Sequence, residues 1–508
     1  MLKRLIPIAL ILLFASSIPA EAKVEKKDRL WQDESIYSIM IDRFNNGDTH
    51  NDIDVNTKDL LAYSGGDIQG VIDKLDYIQD MGFTTIRLTP VFDNAKGGYH
   101  GYWITDFYKI DEHFGTIKTL QKLVKEAHKR KIKVLLDFVT NNVAAGHPWL
   151  TDPGKQNWFH AKQEIVDWTN QKQLEAGWVE GLPDLNQNQP EVRDYLIDAA
   201  KWWIKKTNID GYSLPEVNHV PISFWHDFSA AVKKEKKNFF LLGIPSQSTV
   251  IGVKKYEDAG INSVLDISRS EDLRQVFATT DQSLPARAGK SEQSEGTKVL
   301  TNFLDNENTV RFTHDIVAKR QFPGTRWKTA LTYLYTTPGI PIVFYGTEIA
   351  QNGGKVPDNR KPMNFRAEKE LIEYMTKVSQ LRNDLPSLTR GSFDLLYNKE
   401  GLIIYKRVYK DETAVIAINN TSKSQKVTLT ANDIEGGKEL RGLLDGDLVS
   451  SHKGQYLLIL DRDISEVYVL TKKSGLNFPM ISAMVMVVIL VLIFLFFILK
   501  RGKPSKIG

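Results

Sequence analysis

Apolar positions along the chain come in two rhythms. Short apolar blocks read as strands, and between them lie stretches whose apolar residues recur every three or four positions and read as helices. Strands are predicted at Ile36–Ile41, Thr84–Leu88, Val134–Phe138, Gly211–Leu214, Phe239–Gly243, Ser263–Ile267, Lys298–Phe303 and Pro341–Tyr345. Ile68, Val71, Ile72, Leu75 and Ile78 share one helical face, and Ile117, Leu120, Val124 and Ala127 share another. Further helices are expected over Glu191–Lys206 and Ser223–Val232. Strands alternating with helices in this number predict an α/β chain closed as a (β/α)8 TIM barrel rather than an open sheet.

Residues 141–182 break the rhythm. They are polar and rich in Trp, Asn and Gln, and read as a small domain inserted after the third strand. Trp149, Trp158, Trp168 and Trp178 are expected to form its core. After about Ser392 the pattern turns all-β, with Leu402–Tyr405, Ala414–Ile418, Val427–Leu429, Tyr456–Leu460 and Val467–Leu470 as strands of a C-terminal antiparallel β-sandwich. The expected organisation is therefore a barrel over 23–140 and 183–390, the insertion over 141–182, and the sandwich over 391–472.

The two ends differ from the rest. Lys3 and Arg4, the apolar run Leu5 to Phe14 and the small-residue site Ala20-Glu21-Ala22 form a signal-peptide pattern over 1–22, with an uncleaved anchor as the alternative. Phe478 to Leu499 is almost wholly apolar, and Lys500, Arg501, Lys503 and Lys506 follow it. That reads as a transmembrane helix over 477–499 with a basic cytoplasmic tail over 500–508. The expectation is a single-pass protein of the cell membrane with an extracellular ectodomain. A buried core helix is the alternative.

Charge and cysteine content narrow the partners. The formal net charge is +4, and most of the excess lies in the basic residues of the two ends. A near-neutral central region argues against nucleic acid. There is no cysteine, so disulfides and thiolate metal sites are excluded.

Several stretches together resemble the α-amylase family of glycoside hydrolases, in the look of its bacterial amylase and cyclodextrin-forming branch, from about residue 30 to 472. Tyr99-His100-Gly101-Tyr102-Trp103 resembles the substrate-stacking loop, and Asp137-Phe138-Val139-Thr140-Asn141 the third-strand motif. Gly181-Leu182-Pro183-Asp184-Leu185-Asn186 resembles the motif closing the inserted domain. Thr337-Pro338-Gly339-Ile340-Pro341 and Tyr345-Gly346-Thr347-Glu348 resemble the eighth-strand region. The family's chemistry is retaining hydrolysis of α-glucosidic bonds, which takes a carboxylate nucleophile and a carboxylic acid. The resemblance places these at 215 and 244, with a third carboxylate at 308. Here those positions hold Pro215, Ile244 and Asn308, and the arginine position beside the nucleophile holds Ser213.

What the resemblance implies beyond that is mixed. It implies substrate contacts from His100, Tyr102, Trp103, His219, Asp358 and Arg360, with packed relics of the fold as the alternative. It implies structural calcium at Asn46, Asp48, Asn51, Asp52, the Gly65 carbonyl and Asp67, where a solvated polar turn is the alternative. A second calcium set would be Asn141, Asp184 and the His219 carbonyl. The expected function is a membrane-anchored, catalytically inactive protein of carbohydrate metabolism that binds α-glucan or maltooligosaccharide at the cell surface. The alternatives are a scaffold or accessory subunit of an unidentified membrane partner, and an active α-glucan hydrolase with a rewired site using Glu307.

Overall fold

The computed structural model describes residues 28–246, 252–286, 300–473 and 478–501. The expected signal segment and the last residues of the basic tail lie outside them. The barrel strands are β1 (Ile36–Ile39), β2 (Thr85–Leu88), β5 (Lys133–Asp137), β6 (Gly211–Pro215), β7 (Phe240–Ile244), β8 (Ser263–Val264), β9 (Thr301–Asn302) and β10 (Ile340–Phe344). Strands β3 (Phe92–Asn94) and β4 (Ile104–Ile110) form a hairpin outside the ring. All barrel pairings are parallel, in the order β8-β7-β6-β5-β2-β1-β10-β9. A parallel bridge between Leu265 and Thr301 joins the two ends, so the ring closes.

Alternation along each strand puts every second side chain inside the ring. One consequence is an apolar layer of Ile36, Leu135, Phe240, Leu242, Ile244, Leu265, Phe303, Ile340 and Ile342. The outward residues pack under the helices. In the helix Ile117–Lys129, Leu120, Leu123, Val124 and Ala127 are buried, and the Thr116 hydroxyl caps its start by accepting from Thr119 N at 3.2 Å. The helix Pro190–Thr207 begins on a proline and ends on Asn208 in the left-handed conformation, a pairing that starts and stops helices cleanly.

Several strands are shorter than the sequence predicts, β8 and β9 most of all. The eighth-residue neighbourhood of Ser263 yields only Ser263–Val264, because Asp266 caps the helix Ile267–Phe277 by accepting from Arg269 N at 2.9 Å. The ninth strand is reduced to Thr301–Asn302; Lys298 lies outside the described residues. The helix expected through Ile68–Ile78 is broken in two at Lys74. In the 141–182 excursion there are only short helical turns, held by aromatic contacts such as Trp149 on Trp158 at 4.7 Å. Trp178 donates to the His160 carbonyl at 3.1 Å, whereas Trp168 packs edge-on against His219 at 5.9 Å.

The C-terminal part is antiparallel. Strands β11 (Asp394–Lys399), β12 (Leu402–Tyr409), β13 (Glu412–Asn419), β15 (Glu439–Gly442), β16 (Leu448–Ser450) and β18 (Ser465–Thr471) make one sheet, and β14 (Gln425–Leu429) pairs with β17 (Tyr456–Leu460). Between the two lies an apolar cluster that includes Ile404, Val415, Leu440, Leu458 and Tyr468.

A helix follows at Phe478–Arg501. Among the described residues no helix is long and apolar enough to cross a membrane. The expected transmembrane helix at 477–499 is therefore withdrawn, and with it the single-pass topology and the membrane as a partner.

Candidate active site

Above the apolar layer the inward side chains turn polar. Ser38 on β1 stands opposite Arg87 on β2, and Asp137 at the end of β5 stands opposite Ser213 on β6. Arg87 is buried and organises this layer. Its Nε donates to Asp137 Oδ1 at 2.8 Å and to Ser213 Oγ at 3.1 Å. Its Nη1 donates to Ser38 Oγ and to Glu307 Oε2, each at 3.0 Å. Its Nη2 donates to Asp137 Oδ2 at 2.6 Å and to Glu307 Oε1 at 2.7 Å. A guanidinium can sit inside a barrel only when its donors and charge are met in this way.

The two carboxyls are driven apart in acidity. Burial is the largest influence on Asp137, and with the Glu307 charge it outweighs the help from Arg87, so its pKa rises. Burial also works against the charge of Glu307, but Arg87 overcomes it there and the pKa falls. Asp137 is therefore the weaker acid of the two and Glu307 the stronger. Environments that separate two acids are the usual basis for an acid and a base sharing one site. The Tyr102 hydroxyl reaches both, 2.7 Å from Asp137 Oδ2 and 3.3 Å from Glu307 Oε1.

The positions singled out by sequence lie around this pair. Pro215 ends β6 directly opposite Ile244 on β7, and Ile244 belongs to the apolar layer. Asn308 is exposed, and its Oδ1 accepts from Arg360 Nη2 at 3.1 Å. Arg360 is fixed further by donating to the Glu307 carbonyl at 2.8 Å and to the Tyr99 hydroxyl at 3.3 Å. Asp358 sits on the adjoining loop, accepting from Gly354 N at 2.6 Å and pairing with Lys361 at 2.8 Å. His100 lies 5.7 Å from the Tyr102 ring and 4.8 Å from Trp103. Burial, with Arg360 and Arg43 nearby, lowers the His100 pKa to about 3. His219 is buried beside Ser246 Oγ at 2.7 Å, and burial lowers its pKa to about 4.

Sequence reasoning missed Arg87 and the acid role open to Asp137. A signal was there: Thr85-Ile86-Arg87-Leu88 places a charge at an inward position of a short central strand. Glu307 was weighed without a partner because Asp137 comes from a different strand, and only the closed ring brings the two onto one guanidinium.

The oxygen-rich segments are also close together. At Gly65, in the left-handed region, an added Cβ would stand 2.7 Å from Asn46 Nδ2 and 2.9 Å from Asp52 Oδ1. Asn46 Nδ2 donates to both Asp52 oxygens at 2.9 and 3.0 Å, and Asn51 Oδ1 is buried without a hydrogen-bond partner. Asp67 is used differently: its carboxylate caps the helix Ile68–Asp73 and accepts from Gly47 and Asp48 N at 3.1 and 2.8 Å. Asp48 is held by the His50 ring at 2.8 Å. In the second set, Asn141 Oδ1 and Asp184 Oδ1 are both buried without partners. Burial and the charge of Glu216 push the Asp184 pKa well up. Asn141 Nδ2 donates to Glu216 Oε2 at 3.1 Å. Among the described residues no three or more Asp, Glu or His cluster as a metal site. What both sets offer is amide, carbonyl and single carboxylate oxygens.

A closed (β/α)8 barrel with two carboxyls and a stacking loop at one end of its strands defines a glycosidase-type architecture. The chain belongs to the α-amylase family: the α-amylase catalytic domain matches residues 38–385 and the α-amylase C-terminal domain residues 391–468. The solved α-amylase of Geobacillus thermoleovorans in complex with acarbose is 54% identical, with a TM-score of 0.85, covering 88% of this chain and 100% of that one. A β/α-amylase of Paenibacillus polymyxa is 35% identical over 461 residues, 87% of this chain, and the chain spans only 38% of that protein's length. An intracellular maltogenic amylase of Bacillus subtilis is 29% identical over 454 residues, 83% of this chain and 75% of that protein.

These findings correct two expectations. The reading of an inactive relative rested on Pro215, Ile244 and Asn308, with Ser213 at the arginine position. It is overturned by the kinship to proteins named as amylases, together with a buried two-carboxyl site elsewhere in the same barrel. The physical reason is that several strands reach the same volume, so acids missing at 215, 244 and 308 do not empty the site of carboxyls. The cell-membrane placement is overturned as well: a relative matching most of the chain is named intracellular, and no spanning helix exists among the described residues.

Proposed function

We propose that the chain hydrolyses α-glucosidic bonds in α-glucans such as maltodextrins, with its acid chemistry carried by Asp137 and Glu307 instead of residues at 215 and 244. The observation that supports this most is the shared Arg87 Nη2, bonded to Asp137 at 2.6 Å and to Glu307 at 2.7 Å. Two oxygens on one nitrogen at 2.6 and 2.7 Å stand no more than about 5.3 Å apart, within the short spacing that goes with a covalent glycosyl intermediate. Glu307, held ionised, attacks the anomeric carbon while Asp137 gives its proton to the leaving glucosidic oxygen. Asp137 then takes a proton from water, whose oxygen displaces Glu307 and completes hydrolysis.

The substrate contacts proposed are His100, Tyr102, Trp103, His219, Asp358 and Arg360. Trp103, 36% exposed, presents its ring to outer sugars, and Arg360 holds the backbone that carries Glu307. Calcium is proposed as a structural ion. Asn46, Asn51, Asp52 and the Gly65 carbonyl would hold one, and Asn141, Asp184 and the His219 carbonyl a second. Calcium favours such oxygen donors, and the partnerless amide and carboxylate oxygens support the fit. Asp67 and Asp48 fit less well, being engaged by backbone N–H groups and His50. When bound, the ion would supply positive charge and cross-link the segments that carry these oxygens.

Incubation with starch, maltodextrin and aryl α-glucosides tests the proposal, with Glu307→Gln and Asp137→Asn as controls. Release of reducing sugar that both substitutions abolish is the expected result. No release by the parent chain, or release that survives Glu307→Gln, refutes it.

A further inference from the structure

We propose that Arg87 and Ser213 are a complementary pair, in which the guanidinium that positions the acid pair comes from β2 and the small β6 side chain leaves the room it needs. The consequence for hydrolysis rests on the function proposed above, but the pairing itself rests on geometry alone.

Ser213 points inward in register with Asp137, and its hydroxyl donates to Asp137 Oδ1. Its oxygen is also 3.1 Å from Arg87 Nε. A longer side chain at 213 would enter the space that the Arg87 guanidinium fills. The neighbourhood does not yield easily: a Cβ added at Gly211, the next inward residue on β6, would stand 2.4 Å from the Phe240 carbonyl and 2.7 Å from Leu135 Cδ2. Arg87, Asp137 and Glu307 are each no more than 2% exposed.

Ser213 brings no charge of its own, and Arg87 bonds both carboxyls while Arg360 reaches Glu307 only at its backbone carbonyl. Against the effect of burial, Arg87 holds Glu307 below its usual range, while burial and the Glu307 charge lift Asp137. A second guanidinium bonded to the same pair would favour ionisation of both carboxyls, against the proton that the leaving group needs. Arg87 is thus a positioning residue. It touches both acids, sets which one is charged, and leaves the sugar to them.

Four chains decide the matter: the parent, Arg87→Ser, Ser213→Arg, and the double variant Arg87→Ser/Ser213→Arg. Three readouts are used: thermal unfolding, carboxyl-carbon NMR titration of Asp137 and Glu307, and maltodextrin hydrolysis against pH. Arg87→Ser is expected to lose about 100-fold in kcat with KM changed little, and to raise the Glu307 titration. Ser213→Arg alone is expected to melt well below the parent. The double variant is expected to recover at least about tenfold of the lost kcat, much of the melting temperature, and the low titration of Glu307. Arg87→Lys, which keeps charge but not the fork, is expected to restore only part of either.

A double variant no more stable than Ser213→Arg, with a Glu307 titration like that of Arg87→Ser, overturns the pairing. If Arg87→Ser does not fold, melting of Ser213→Arg against the double variant still decides it. Absence of hydrolysis by the parent refutes the proposed function, while the melting and titration results continue to judge the pairing.

Discussion

Arg407→Met is expected to loosen the seam between barrel and C-terminal sheet. Arg407 is buried on β12 and faces carbonyl oxygens in place of carboxylates. Its Nε donates to Ser392 O at 2.7 Å, its Nη1 to Thr336 O at 2.5 Å and Leu388 O at 2.8 Å, and its Nη2 to Gly391 O at 3.0 Å. Thr336 ends the helix Pro323–Thr336 and Leu388 lies in Pro386–Arg390, so one side chain closes helix-end carbonyls across the seam. Burial pulls its pKa down, with the neighbouring Arg382 adding to the effect. Leu388 O keeps a longer bond from Arg382 at 3.4 Å, so methionine withdraws the donor from three carbonyls with no such second bond. At about 1–2 kcal/mol for each carbonyl left without it, the gross loss is about 3–6 kcal/mol. Removing a buried charge returns part of that, leaving a net destabilisation of about 2–4 kcal/mol. Calorimetry and urea unfolding measure it, with Arg407→Lys as the intermediate case because lysine reaches fewer of the carbonyls. Unfolding of Arg407→Met within about 0.5 kcal/mol of the parent would refute the reasoning, since the carbonyls would then be satisfied without the guanidinium.

Three further outcomes are expected. Chelation should lower the melting temperature and added calcium should restore it, while Asn51→Leu or Asp184→Leu should blunt the response; an unchanged melt with chelator rules out a stabilising ion. His100 and His147 have pKa values lowered to about 3 and about 4, in both cases chiefly by burial. Their folded forms stay neutral where the unfolded chain takes up protons, so stability is present above about pH 6.5 and falls as pH drops toward 4, by about 1.4 kcal/mol per unit for each histidine. His100→Gln and His147→Gln should each flatten the melting temperature between pH 4 and 6.5, and an unaltered slope would exclude these groups as the cause. Gly339→Ala should destabilise by about 2–4 kcal/mol in chemical unfolding, because Gly339 has φ +119° and a Cβ there would stand 2.2 Å from Asn302 Nδ2. A neutral result would show that the β9–β10 junction yields.

Much of the architecture was legible from local pattern. The periodicities at Ile117–Ala127 and Glu191–Lys206 and the apolar blocks of the barrel strands reflect which face each element must bury, and burial is a property of spacing along the chain. The same holds for the antiparallel C-terminal strands. The family followed from motifs such as Tyr99-His100-Gly101-Tyr102-Trp103, where residue type and order are themselves the signal. Strand ends were less legible, because whether Leu265 and Asp266 extend β8 or start a helix depends on the cap that Asp266 provides.

The site lay beyond that reach. Position by position, Pro215, Ile244 and Asn308 described absences. Arg87 and Asp137 belong to neighbouring strands but are distant in sequence, and Glu307 follows a strand on the other side of the ring. Nothing local says that they meet. Closing the ring puts alternate side chains of separate strands into one small, dry volume, where a single guanidinium engages both acids and separates their acidities. The residues and their periodic faces are properties of the sequence. Which charges share a space, and therefore which acid holds the proton, was decided only by the tertiary structure, because electrostatic coupling depends on distance and burial and not on order along the chain.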